Sequence, residues 1–257
     1  MDILQTIILG VVEGITEFLP ISSTGHLILA NKILGLRQTD FAKTFEIAIQ
    51  GGAILSVVVL YWKSFLNKEI IKRLFVAFLP TAVLGFLIYK IIKGYLLNSE
   101  AIVLWALLLG GIILILLELF FKSRKKENLI DDTSSLPFKK CFLIGCFQSL
   151  AMIPGVSRSG ATIMGGLLSN ISRKAIIEFS FLLAVPTMIV ASGYDLLKSG
   201  ASFSVNQVWI LFVGILVSFV VALFSIKFLI KFIQKYSFIG FGVYRIILAL
   251  IFLIFII

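Results

Sequence analysis

Between Glu13 and His26 the chain reads EGITEFLPISSTGH, setting two carboxylates, a proline, the hydroxyl run Ser22 to Thr24 and the protein's only histidine among apolar residues. Glu13 and Glu17 are one helical turn apart and so share a face. Pro20 stops that helix, because it has no N–H and disfavours helix in the residue before it. Ser22, Ser23, Thr24 and Gly25 then form a small-residue turn whose amides can face an anion at the start of a next helix, begun by His26. In water such residues read as helix caps and a satisfied polar side chain. In lipid, ionisable groups are costly and point to function.

A second polar stretch, PGVSRSGAT from Pro154 to Thr162, stands 135 residues from the first. At that spacing Gly10 matches Gly145, Glu13 matches Gln148, Ser22 matches Ser157, Ser23 matches Arg158, Thr24 matches Ser159 and Gly25 matches Gly160. A fixed spacing of this kind marks an internal repeat. If the two turns meet, Arg158 faces Glu13, Glu17, Ser23, Thr24 and His26. Arginine is a planar fork suited to phosphate, and it is expensive in lipid unless paired. Two carboxylates beside an anion become useful if they hold a divalent cation, or if one is protonated and works as an acid. A donor cradle, a cation or proton source and a nucleophile together suit phosphoryl transfer. No Walker loop or dinucleotide fingerprint occurs, which argues against nucleotides.

The elements that must position these groups are membrane helices. The 257 residues are 60% hydrophobic and 14% charged, with mean hydropathy +1.10. A soluble domain is nearer half apolar and a quarter charged. The expected fold is an all-α integral membrane protein, with about six spanning helices plus two re-entrant helix-turn-helix hairpins in an inverted-topology repeat. One membrane domain covers 1–257. Its first repeat is 1–121 with a hairpin at 2–35, and its second is 138–257 with a hairpin at 138–169. The hairpin helices, 2–19 and 26–35 in the first, are broken by polar turns, and the second falls short of the roughly 20 residues a crossing needs. Spans are expected at 44–62, 74–92, 101–121, 174–197, 207–230 and 238–257. In the first of these Glu46 and Gln50 are one turn apart and Gly51 and Gly52 allow close packing; Pro186 kinks the fourth.

Charge sets the orientation. The net charge of +10 is carried by short loops between apolar runs, which speaks for membrane topology and against nucleic acid. Fifteen basic residues fall on one side and six on the other, the latter including Lys90, Lys93 and Lys198. The loops 63–73 and 122–140 are then cytoplasmic, and the first hairpin opens to the outer face. Cys141 and Cys146 lack metal-ligand spacing and read as packing residues. The N-terminus has no basic flank and does not read as a cleaved signal. Arg245 lies inside the last span and is expected to pair with Glu118 or Glu178, since an unpaired charge there is costly.

EGITEFLPISSTGH and PGVSRSGAT resemble the two signature motifs of the undecaprenyl-diphosphate phosphatase family of the bacitracin-resistance type, and the likeness covers essentially the whole chain. The resemblance implies a plasma-membrane enzyme that removes the terminal phosphate of undecaprenyl diphosphate, a long-chain prenyl diphosphate lipid, and so regenerates the carrier for cell-wall polymers. It implies a catalytic set of Glu13, Glu17, Ser23, His26 and Arg158. Ser22, Thr24, Gly25, Ser157, Ser159 and Gly160 would line the phosphate. It also implies a divalent cation, magnesium or calcium, which the Glu13 and Glu17 pair could hold. Ser23 is the preferred nucleophile, with His26 as its base or as the leaving-group acid. A nucleophilic His26 is the rival. A transporter or lipid flippase is the alternative function, because inverted repeats with broken helices are also a transporter architecture. A homodimer is left open.

Overall fold

Polar punctuation divides the apolar sequence into helices at the expected places. In the computed structural model, which describes residues 1–91, 95–96, 99–122, 129–199 and 204–255, these are α1 (Ile3–Thr16), α2 (Ser23–Ile33), α3 (Asp40–Leu60), α4 (Lys68–Ile91), α5 (Glu100–Lys122), α6 (Phe138–Ser149), α7 (Arg158–Leu168), α8 (Arg173–Ser199), α9 (Val205–Lys235) and α10 (Ile239–Phe255). Lys93 and residues 123–128 of the basic loop lie outside the described residues, as do positions 92, 256 and 257 of two expected spans and the side chains of Lys90 and Lys198. Among the described residues the protein is all-α, apart from an isolated bridge between Ile130 and Ile171.

Among the described residues five helices are long and apolar enough to cross a membrane: α3, α4, α5, α8 and α9. The sixth expected span, α10, is apolar but has 17 residues, about 25 Å at 1.5 Å per residue. With 14 and 11 residues, α1 and α2 are shorter still. α2 begins at Ser23, earlier than the expected His26, because the Ser22 side chain caps it. α8 continues through Pro186, where the Thr187 hydroxyl donates to the Leu183 carbonyl oxygen.

The hairpins are held by close backbone contact. α1 lies on α9, and α6 lies on α4. A Cβ at Gly14 would stand 2.7 Å from the Ser218 carbonyl oxygen, and one at Gly145 would collide with that of Ala77. Small residues at helix contacts are how membrane helices approach one another. Gly52 packs in this way against Ile215, whereas Gly51 faces open space. Of the cysteines, Cys141 is buried and Cys146 is exposed, so only the first is a packing residue. The main core joins Phe18 of the first turn to Phe179, Phe181 and Leu183 of α8. Phe86, Trp105, Phe212 and Phe224 remain exposed on the long helices, as lipid-facing residues should.

The buried charges pair differently from the expectation. Glu118 bonds Arg173, and Arg245 meets neither Glu118 nor Glu178. α10 places Arg245 opposite Gly110 of α5, eight residues or about 12 Å before Glu118. At that depth the guanidinium reaches backbone carbonyls of the two turns.

Candidate active site

Each turn ends in a helix start held by one serine in a rare conformation. Ser22 has φ 71° and ψ 97°, and its hydroxyl accepts the Gly25 N–H at 3.4 Å. Ser157 has φ 72° and ψ 111°, and accepts the Gly160 N–H at 3.2 Å. Positive φ in a non-glycine residue costs on the order of 1–3 kcal/mol and persists where its surroundings over-determine it. The turns also touch directly, through the Ser159 hydroxyl, which donates to the Leu19 carbonyl oxygen at 2.9 Å.

Three groups from the two turns form a chain. The Ser23 hydroxyl donates to Glu17 Oε2 at 2.8 Å, and Arg158 Nη2 donates to Glu17 Oε1 at 2.9 Å. Arg158 is steadied by Nη1 on the Ser180 carbonyl oxygen at 2.9 Å, and it stands 5.9 Å over the Phe18 ring. A cavity of about 130 Å³ opens beside this chain, lined by Glu17, Ser22, Ser23, Thr24, Ser157 and Arg158 together with Gln50, Ala151, Gly155 and Met188. Both helix starts contribute to its wall, which gives it the donor-rich character of an anion site.

Other expected site residues stand behind that wall. The amides of Gly25 and Gly160 are taken by the cap serines, and Ser159 is taken by Leu19. His26 lies within hydrogen-bond reach of the Ser22 carbonyl oxygen through Nδ1 and of the Tyr244 hydroxyl through Nε2, each at 2.7 Å. A carbonyl only accepts, so Nδ1 carries the proton, and in the neutral ring Nε2 accepts from Tyr244. His26 is therefore bonded to the backbone of the turn, and the group bonded to Ser23 is Glu17. Tyr244, Gln50 and Met188 were not legible as site residues: each stands in an apolar helix far from both motifs in the chain.

Glu13 is fully buried against the Glu17 carboxyl, and among the described residues no other group hydrogen-bonds its carboxylate oxygens. Two carboxyls in that relation need a shared proton or a cation. Magnesium is commonly held by one or two carboxylates together with water and substrate phosphates, a demand that Glu13 and Glu17 fit. Among the described residues no group of three or more His, Cys, Asp or Glu gathers as a ready-made protein cage.

Comparison with known proteins shows the family of the chain. The family profile described as bacitracin resistance protein BacA matches residues 6–251. A protein of Persephonella marina named undecaprenyl-diphosphatase is 54% identical over 257 residues, covering all of both chains. Proteins of the same name from Sulfurihydrogenibium and Aquifex aeolicus are 53% and 51% identical, covering 98% and 96% of each chain. With its two signature turns joined through Glu17 and its length matched from end to end, the chain belongs to the BacA bacitracin resistance protein family.

Proposed function

We propose that this chain is an undecaprenyl-diphosphatase, a multi-pass phosphatase of the bacterial inner membrane that returns undecaprenyl phosphate to cell-wall synthesis. The observation that carries the mechanism is the chain Ser23–Glu17–Arg158, a hydroxyl bonded to a carboxylate that is bonded to a guanidinium from the other turn. The terminal phosphate enters the cavity at the two helix starts, and Arg158 exchanges Glu17 for a phosphate oxygen. Ser23 Oγ then attacks the terminal phosphorus while its proton passes to Glu17 Oε2. The bridging P–O bond breaks, and undecaprenyl phosphate leaves with the electron pair. Water next attacks the phosphoserine, Ser23 recovers its proton from Glu17, and orthophosphate departs. His26 holds the Ser22 carbonyl oxygen and so keeps Ser23 in line.

Glu13 and the Glu17 Oε1 that Arg158 releases would hold a divalent cation, which would supply positive charge to the phosphate oxygens. The cavity opens to the outer face, in keeping with the basic bias of the loops 63–73 and 122–140. Phosphate release by the purified protein from undecaprenyl diphosphate, with and without chelator, tests the activity. Release that chelator abolishes is expected; no release with added magnesium or calcium rejects the reading. An impermeant thiol reagent applied to intact cells tests the orientation separately, since a cysteine at position 130 should stay unlabelled.

A further inference from the structure

Arg245 has no part in the chemistry above, yet it is 1% exposed in the middle of a membrane protein. Its guanidinium has five N–H donors, and each one meets a backbone carbonyl. Nε donates to Leu107 at 3.3 Å, Nη1 to Pro20 at 3.4 Å and Val156 at 3.0 Å, and Nη2 to Ala106 at 2.8 Å and Gly155 at 2.9 Å. No carboxylate is among these partners, so its charge is solvated by dipoles and not neutralised.

Two of the pairings obey the 135-residue spacing of the motifs. Pro20 and Gly155 are equivalent positions of the two turns, and one guanidinium holds both carbonyls. Gly110 and Arg245 are equivalent too, and a Cβ on Gly110 would collide with Arg245 Nη2. Equivalent residues that touch lie where the two halves meet. There the first half supplies a gap and the second an arginine.

We infer that Arg245 is a positioning residue shared by the two turns, setting the distance between Ser23 and Arg158, and that the diphosphate is the counter-charge of its otherwise unneutralised guanidinium. The inference deepens the phosphatase reading and rests on it for the identity of the anion. Gly155, one of its partners, lines the cavity, so the charge stands directly behind the anion site. A charge at this depth is expensive, which a purely local packing role would not repay.

The test uses purified full-length protein with Cys141 and Cys146 replaced. Spin labels are placed at Ile33 and Leu168, exposed residues at the ends of α2 and α7. Arg245→Met should broaden the label distance and raise the inhibition constant of inorganic pyrophosphate about tenfold or more. Arg245→Lys keeps the charge but has three donors, so kcat should fall about tenfold while pyrophosphate inhibition stays within about threefold. If Arg245→Met does not fold, Gly110→Ala takes its place in the distance measurement, because the new Cβ displaces Nη2 and leaves the charge. An unchanged distance with unchanged pyrophosphate inhibition overturns the inference, as does a lower active fraction with kcat and KM unaltered in the folded remainder. Absence of phosphate release from wild-type protein would instead count against the phosphatase reading, and the label distances would still decide the role of Arg245.

Discussion

The turn at Pro20 to Gly25 and the turn at Gly155 to Gly160 enter their helices through the same serine conformation and carry different chemistry. Ser22 and Ser157 agree within 1° in φ and 14° in ψ, and each caps the following helix through the same glycine amide. The side chains then diverge: Ser23, His26, Glu13 and Glu17 in the first correspond to Arg158, Ala161, Gln148 and Met152 in the second. One turn carries the proposed nucleophile and the carboxylates, and the other carries the arginine. Glu13 and Gln148 make the contrast sharpest. Gln148 receives the Thr187 hydroxyl at 3.4 Å and donates to the Thr81 hydroxyl at 2.9 Å. The positions equivalent to those threonines are Gly52 and Leu216, which offer no side-chain donor, and among the described residues Glu13 meets only the Glu17 carboxyl. A buried polar group normally finds a partner, so the first half keeps Glu13 free for a proton or a cation, while the second uses its amide for packing.

The largest effects should come from the two residues that the turns contribute at one matched position. Ser23→Ala and Arg158→Ala should each come close to abolishing phosphate release. The double variant should lose little more, because residues acting as a unit are not additive. Arg158→Lys should fold and still lose a hundredfold or more, on the order of 2.7–4 kcal/mol, since an ammonium cannot reproduce the bidentate fork. Multiplicative losses in the double variant would mean that the turns act separately.

Glu13→Gln and Gln148→Ala should separate function from packing. Glu13→Gln removes a charge that faces another carboxyl and, among the described residues, no donor, so thermal stability should hold or rise while activity and its response to magnesium or calcium are lost. Gln148→Ala removes the amide that bridges Thr81 and Thr187, whose hydroxyls keep the Gly145 and Leu183 carbonyl oxygens as partners, and should lower stability by about 0.5–1.5 kcal/mol, with the folded fraction active within a few-fold. Destabilised Glu13→Gln with normal cation response would reverse the assignment.

Much of this division was legible in the chain. Helix-breaking Pro20 and Pro154, the serine runs and the 135-residue spacing announced two turns, and lipid made their charges informative. Side-chain partners were not legible, because hydrogen bonding is decided by depth and direction. Ser23 has Glu17 as its partner where His26 was expected, and His26 turns to Ser22 and Tyr244. Arg245 misled for the same reason: a lone cation in an apolar span suggests a carboxylate, whereas five carbonyls take all of its N–H donors. Carbonyl clusters leave no mark in a sequence.

The smallest effect, and the most direct comparison of the turns, concerns Ser22 and Ser157. Both adopt a positive φ that glycine tolerates at no steric cost, and strain of this kind amounts to about 1–3 kcal/mol. Replacing an N-cap serine by glycine loses only a few tenths of a kcal/mol. Ser22→Gly and Ser157→Gly should therefore each stabilise the protein, by about 1 kcal/mol and to a similar extent, in thermal denaturation. Both serines line the cavity, so both variants should also raise KM for the lipid diphosphate several-fold, with kcat less affected. Greater stability with weaker substrate binding would show that the strain is retained for the phosphate. Unchanged KM in both would reduce the serines to caps. A change at Ser22 alone would place the phosphate on the first turn and leave the second to supply only Arg158.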